Sequence, residues 1–158
     1  MMSWLGPVLR SVDPLRSVER FKRHPVETQT NVLRDLLTRA ADTEWGRRYD
    51  FADLARAGDV VAAYQERVPL HDYDDLREDA KRMRQGAEDV TWPGRFEHFA
   101  VSSGTVSDGK IIPVSRELID KDRAFSMGAG YNYVAETGNL RLLMGPHLTL
   151  PGRIEEDP

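Results

Sequence analysis

The chain has 158 residues, of which 40% are hydrophobic and 30% are charged, a balance typical of a globular rather than a disordered protein. Its 22 basic and 26 acidic residues are well mixed and give a net charge of −4, so the composition shows no basic footprint for nucleic acid. Because there is no cysteine, disulfides, thiolate nucleophiles and cysteine-based metal sites are excluded.

Membrane and targeting signals are also lacking in the sequence. No apolar run approaches the ~20 residues that a membrane span needs. Residues 1–7 lack the basic and long apolar regions of a signal peptide, so a cytoplasmic location is expected. The 4 histidines show no metal-ligand spacing, and no metal-binding residue is predicted.

Helices are predicted through the first half of the chain. Pro25 stands at a first-turn position, and apolar residues recur at helical spacing from Leu33 to Ala40, which predicts an amphipathic helix over residues 25–41. Residues 45–49 predict a turn anchored by two aromatic side chains. The two arginines in this segment are expected to lie over the aromatic rings in solvent, and an anion site is the alternative. Asp59 is expected to cap a helix that ends near Tyr64.

The strongest helical pattern follows Asp72, which is predicted to cap a helix that runs to about residue 85 and ends at Gly86. The acidic cluster at its start, formed with Asp74 and Asp75, could suggest a metal site. Capping and a favourable interaction with the positive end of the helix explain this cluster more simply. The apolar stripe is expected to contain Tyr73, Leu76, Ala80 and Met83.

Two strand-like runs flank a loop of small and polar residues. Phe99–Val101 predicts a short buried strand, residues 102–109 are small or polar, and Ile111–Val114 resumes the strand pattern after Lys110. His98, just before the loop, is expected to be a partly buried structural residue, and a catalytic role is the alternative.

The composition of this loop indicates an anion site. Glycine removes the Cβ that would block close approach, successive backbone N–H groups and hydroxyls supply donors, and a lysine adds a point charge. Gly104 to Lys110 also satisfies the Walker A spacing. However, Ile111 stands where a magnesium-binding hydroxyl belongs, and Pro113 would cost about 3 kcal/mol inside the helix that the motif must open. A phosphate-binding loop of another kind is therefore favoured.

The last part of the chain predicts one long helix and short extended pieces. Ser115 is expected to cap a helix that runs to about Ala135, with Leu118 and Phe125 on its apolar face, and Gly138 ends this element. Arg141–Met144 predicts a second short strand, and residues 147–150 a further extended piece. The order of elements predicts an α/β fold with too few strands to close a sheet.

The loop and several upstream segments resemble one protein family. Ser102–Thr105, with a lysine and Ile-Pro after it, resembles the first ATP-binding motif of the Gretchen Hagen family of auxin-responsive acyl-acid amido synthetases, which belong to the acyl-adenylate-forming superfamily. Segments similar to the family in the same order are residues 43–49, 67–76, 82–86 and 92–94. The resemblance covers roughly residues 20–157. It implies the N-terminal portion of the large domain of an adenylating enzyme, with an N-terminal segment at 1–22 and a partial adenylation-type domain at 23–158.

The resemblance implies an ATP-dependent ligase assisted by Mg²⁺. A small-molecule carboxylate is adenylated, and an amino acid then displaces AMP to form an amide. The implied phosphate-binding residues are Ser102, Ser103, Gly104, Thr105, Ser107, Gly109 and Lys110. Catalytic residues are not identified. Because family proteins are much longer, the chain is expected to be an N-terminal fragment or truncated product that is inactive by itself.

Three departures from the family pattern leave alternatives open. Val106 replaces a usual threonine, Asp108 replaces a usual glycine, and the gap from Ser102 to Lys110 is one residue shorter than usual. A carboxylate ~6 Å from a phosphate charge repels it by roughly 3 kcal/mol at an effective dielectric constant of ~20. One alternative is therefore a non-catalytic remnant that does not bind ATP tightly. The other is a small interaction domain built on the helices at 25–41 and 72–85.

Overall fold

The computed structural model describes residues 20–102 and 109–146, and only the backbone of Leu142 and Leu143. The expectations for the N-terminal segment before residue 20, for the loop at 103–108 and for the extended piece at 147–150 lie outside these residues. The described chain falls into two compact units that divide after Arg123.

Helices make up most of the first unit, and a two-stranded antiparallel sheet follows them. The predicted class, an incomplete α/β arrangement, is confirmed. In chain order the elements are α1 (Pro25–Arg39), α2 (Glu44–Tyr49), α3 (Phe51–Leu54), α4 (Val60–Arg67), α5 (Tyr73–Arg84), β1 (His98–Val101) and β2 (Ile111–Val114). Helix α6 (Arg116–Thr137) begins in this unit and continues into the second, where α7 (Arg141–Met144) follows.

Helix α1 begins at Pro25 as predicted and contributes Leu37 to the larger core cluster. Leu36, which was expected on the buried face, is 42% exposed. The Arg34 guanidinium donates hydrogen bonds to the carbonyls of Ala55 and Ala57. The larger core cluster contains Leu37, Ala40, Phe51, Leu54, Ala55, Val60 and Val68.

The predicted turn at residues 45–49 is wrong, because this segment is helix α2. Thr43 caps the helix: its side-chain oxygen accepts the N–H of Gly46 at 2.9 Å and its hydroxyl donates to the carbonyl of Ala40 at 2.7 Å. The cap satisfies one of the N–H groups that the first helical turn leaves open. The prediction for the arginines is confirmed at Arg48, whose guanidinium lies 5.6 Å from the centre of the Trp45 ring.

Helix α5 has the caps that the sequence predicted. Asp72 accepts the N–H groups of Asp74 and Asp75, and Asp75 accepts the N–H of Asp72 in return, which forms a capping box. At the other end, Gly86 and Ala87 donate to carbonyls in the last turn. The capping interpretation of the acidic cluster is therefore confirmed.

Strands β1 and β2 form a hairpin in which His98 pairs with Val114 and Val101 with Ile111. The predicted burial of this hairpin is wrong: Val101 is 61% exposed, and His98 is exposed rather than partly buried. Phe99 packs against the smaller core cluster of Met83, Val90 and Phe96. Because successive side chains of a strand point to opposite faces, this contact places His98 on the other, exposed face.

Helix α6 is capped by Ser115 as predicted, since the Ser115 hydroxyl accepts the N–H of Leu118 at 3.1 Å. Leu118 and Phe125, expected on a buried face, are 54% and 77% exposed. The predicted strand at 141–144 is wrong, because these residues form helix α7, and the Asn139 side chain accepts the N–H of Arg141 at 3.0 Å. Among the described residues, no helix is long and apolar enough to cross a membrane.

Candidate phosphate-binding site

The two ends of the predicted phosphate-binding loop are held together at the top of the β1–β2 hairpin. The N–H of Ser102 donates to the carbonyl of Lys110 at 3.1 Å, and the N–H of Lys110 donates to the Ser102 hydroxyl oxygen at 3.1 Å. These bonds extend the strand ladder by one pair, so the loop leaves and returns at a fixed point. Of the predicted binding residues, Ser103, Gly104, Thr105 and Ser107 lie outside the described residues.

Gly109 is required by the backbone at the base of this loop. Its φ angle is +75°, in the left-handed region that side chains rarely adopt. A Cβ at this position would lie 2.7 Å from the carbonyl oxygen of Ser102 and 2.7 Å from Cγ1 of Val101. Gly109 therefore brings the returning strand close to Ser102, and the placement of Lys110 follows from it.

Lys110 is exposed, and its ammonium lies over the ring of Tyr73, 5.1 Å from the ring centre. The Tyr73 hydroxyl accepts the N–H of Ile111 at 2.8 Å. One side chain at the start of α5 thus contacts both the charge of Lys110 and the backbone beside it. Sequence reasoning had placed Tyr73 in an apolar stripe and missed this role.

An open cleft of about 560 Å³ lies beside Lys110. Tyr73, Arg77 and Lys81 line it from α5, and their spacing of four residues puts them on one face of the helix. That spacing is a sequence signal for a common helix face, although not for the cleft itself. The complete lining is Asp72, Tyr73, Asp74, Arg77, Lys81, Gly109, Lys110 and Ile111.

The electrostatic balance of this cleft favours an anion. Its three cationic side chains outnumber its two carboxylates. Arg77 pairs with Asp74 at 2.5 Å and Lys81 pairs with Glu78 at 2.7 Å, and both pairs are exposed. Exposed ion pairs of this kind contribute only about 0–1 kcal/mol, so an anionic ligand can compete for these cations. Among the described residues, Lys110 has no carboxylate partner.

The Walker A alternative needs a helix directly after the lysine. Strand β2 occupies that place, and Pro113 pairs with Phe99 in the ladder. Proline is tolerated there because a two-stranded ribbon leaves one side of each strand without ladder hydrogen bonds. The loop is therefore a hairpin connection and not a strand-to-helix phosphate loop.

Comparison with known proteins identifies the family. A family model described as the GH3 family N-terminal domain matches residues 14–145. The chain belongs to the GH3 family. This confirms the resemblance drawn from the loop and the upstream segments.

Relatives of this GH3 chain carry the names of amido synthetases. Indole-3-acetic acid-amido synthetase GH3.2 of Arabidopsis thaliana is 27% identical over 71% of this chain and 20% of its own length. The probable indole-3-acetic acid-amido synthetase GH3.1 of the same plant is 30% identical over 77% of this chain and 20% of its own length. The probable indole-3-acetic acid-amido synthetase GH3.13 of Oryza sativa subsp. japonica is 28% identical over 74% of this chain and 28% of its own length. The GH3 chain thus spans between a fifth and three-tenths of the length of these relatives.

Proposed function

We propose that this chain supplies part of the ATP-polyphosphate site of an acyl-acid amido synthetase. The observation that carries the proposal is the position of Lys110, held at the base of the loop and facing a cleft lined by two further cations. In the proposed reaction, a carboxylate oxygen attacks the α-phosphate of ATP and pyrophosphate leaves. The amine of an amino acid then attacks the acyl carbon of the acyl-adenylate, AMP leaves, and an amide forms.

The residues of the chain act in this proposal by binding and neutralising charge. Lys110 places a cation beside the β- and γ-phosphates. Ser102 accepts the N–H of Lys110 through its hydroxyl oxygen and keeps its own hydroxyl proton for donation to a phosphate oxygen. The backbone N–H groups and hydroxyls of Ser103, Gly104, Thr105 and Ser107, with Gly109 at the base, complete the proposed cradle. In phosphoryl chemistry a protein acts mainly by positioning the phosphates and stabilising their charge, and preorganised donors of this type do both.

The cleft fits a nucleotide polyphosphate in volume and in charge. Its volume of about 560 Å³ lies within the usual range of ligand pockets, roughly 300–1,000 Å³. Within the described residues, no group of three or more His, Asp or Glu side chains could hold a metal ion. Mg²⁺ bound with ATP is commonly held by the phosphates, water and few protein ligands. We therefore expect Mg²⁺ to arrive with ATP, and its chemistry there is the neutralisation of phosphate charge.

The acyl substrate is proposed to be a small carboxylic acid, by analogy with the indole-3-acetic acid in the names of the relatives. The division into a segment at 1–22 and a partial adenylation-type domain at 23–158 stays a prediction, as does the cytoplasmic location. Catalysis is proposed for a longer GH3 chain, of which these residues form one part.

The alternative of an interaction domain with an ordinary turn loses support from the sheet. That alternative predicts a well-packed fold without an exposed apolar sheet face. Instead an apolar side chain is exposed on each face of the hairpin: Val101 is 61% exposed on one face, and Ile112 is 46% exposed on the opposite face. The alternative of a remnant that does not bind ATP depends on Val106 and Asp108 and is tested by the experiment that follows.

Titration of the purified chain with ATP and Mg²⁺ by calorimetry tests the proposal. Replacing Lys110 by alanine removes a charged contact of about 1.5–3 kcal/mol, so the Kd is expected to rise roughly 10- to 150-fold. Lys121→Ala is the matched control, because Lys121 is an exposed lysine of α6 outside the cleft. Equal binding by the wild type and Lys110→Ala would refute the proposal. Failure of millimolar ATP to bind would instead favour the remnant.

A further inference from the structure

We propose that Tyr73 is a positioning residue that holds Lys110 in the polyphosphate site, an inference that rests on the proposed function. Tyr73 makes two separate contacts with the lysine and its neighbour. Its hydroxyl accepts the N–H of Ile111 at 2.8 Å, and its ring lies 5.1 Å from the Lys110 ammonium.

Tyr73 is itself rigidly placed. It is the first residue of α5 and lies within the capping box that Asp72 and Asp75 form. Further along the same helix, Ala80 and Met83 are buried at 5% and 1% exposure. A helix fixed by its cap at one end and by core packing at the other presents its first side chain in a defined position.

The hydroxyl of Tyr73 fixes the backbone that carries Lys110. The N–H of Lys110 is bonded to the hydroxyl of Ser102, and the N–H of the next residue, Ile111, is bonded to Tyr73. Two consecutive peptide groups are thus held by two side chains, one that directly follows β1 and one at the start of α5. A role in the apolar stripe of α5 alone would not account for the hydrogen bond between Tyr73 and the N–H of Ile111.

The ring of Tyr73 acts on the charge. An ammonium within about 6 Å of an aromatic ring centre is attracted by the negative face of the ring. Arg77, one helical turn further on, lies 5.6 Å from the same ring centre. The ring therefore contacts two of the three cations that line the cleft. Because Lys110 is exposed and its ammonium has three N–H donors, those that point away from the ring are left for a phosphate.

The experiment combines two substitutions at Tyr73 with Lys110→Ala in double-mutant cycles. Tyr73→Phe keeps the ring and removes the acceptor for the Ile111 N–H, whereas Tyr73→Leu removes both. Binding is measured with inorganic tripolyphosphate and with ATP and Mg²⁺. Hydrogen exchange of the Ile111 amide is measured without ligand. Tyr64→Phe is the control, because Tyr64 does not line the cleft.

We expect Tyr73→Leu to weaken binding of both probes about 3- to 10-fold when Lys110 is present and less than 2-fold in the Lys110→Ala background. Tyr73→Phe should accelerate exchange of the Ile111 amide about 5-fold through loss of one hydrogen bond, and Tyr64→Phe should not. If Tyr73→Leu does not fold, Tyr73→Phe takes its place in the cycle, with an expected 2- to 5-fold weakening that again requires Lys110.

Equal weakening in both Lys110 backgrounds would overturn the inference and leave the proposed function intact. Unchanged exchange of the Ile111 amide in Tyr73→Phe would overturn it as well, because the anchor would then be absent. If the wild type binds neither tripolyphosphate nor ATP, the proposed function fails and this inference fails with it.

Discussion

Replacing Gly109 by alanine tests how the base of the loop is built. At φ of +75° an L-residue costs about 1–2 kcal/mol relative to glycine. The new Cβ would lie 2.7 Å from the carbonyl oxygen of Ser102, so the end of β1 must shift. That shift breaks the two bonds between Ser102 and Lys110, at about 1 kcal/mol each. The expected total is a loss of about 3–4 kcal/mol in local stability.

Amide hydrogen exchange measures this loss directly. A loss of about 3–4 kcal/mol should accelerate exchange of the Ser102 and Lys110 amides about 10²- to 10³-fold, as far as their protection exceeds that amount. Gly94→Ala is the matched control, since Gly94 has φ of +82° and a Cβ there would meet nothing within 4 Å. Its amide should exchange only about 10-fold faster, which reflects the backbone cost alone. If Gly109→Ala accelerates exchange no more than this control, the close approach at the loop base is refuted.

Two further predictions concern the rest of the first unit. A hydrogen bond from Arg82 holds the pKa of Glu44 below its ordinary value, so this pair adds stability above about pH 4.3 and loses it as the pH falls. The difference in urea midpoint between the wild type and Glu44→Gln should therefore shrink from pH 7 to pH 3, and a constant difference would contradict this assignment. Gly46→Ala would place a Cβ 2.0 Å from the carbonyl oxygen of Ala40 and should destabilise the chain by about 3 kcal/mol or more in a denaturant titration. Gly58→Ala, where a Cβ meets nothing within 4 Å, should be close to neutral, and equal losses in the two variants would refute the packing argument.

Helix α5 was predictable from the sequence because local chemistry determines both of its ends. Asp72 and Asp75 lie three residues apart and form the capping box, and Gly86 follows the last turn. No contact with distant residues is needed to place this element. Local chemistry also determines the start of α6, because the Ser115 hydroxyl accepts the N–H of Leu118, three residues later.

Helix α2 was missed because its glycine serves a tertiary contact. Gly46 between two aromatic residues reads as a turn, since glycine weakens an isolated helix. In the fold it allows α2 to pass against the carbonyl of Ala40, where no side chain fits. Thr43, three residues earlier, was the available signal for a helix start. For helix α7 the corresponding signal for a helix start was Asn139, whose side chain accepts the N–H of Arg141.

The sequence suggests candidate ligands for this site but does not suggest the residue that supports them. Lys110 and the small residues before it could be identified by composition alone. Tyr73 contacts Lys110, which lies 37 positions further along the chain, and no local pattern specifies that pairing. The helical spacing of Tyr73, Arg77 and Lys81 does reveal a common face, although only the fold shows that this face meets the loop.

The hairpin topology makes the fold tolerant of insertions and deletions at the tip of the loop. Ser102 and Lys110 are hydrogen-bonded to each other, and Tyr73 accepts the N–H of Ile111. The backbone on both sides of the lysine is therefore anchored, whatever the number of residues between Ser102 and Lys110. Even doubling the length of a flexible loop adds only about 0.6 kcal/mol of closure cost. The one-residue shortening relative to the family pattern therefore falls between two anchored ends, and neither Ser102 nor Lys110 has to lose its hydrogen bonds to accommodate it.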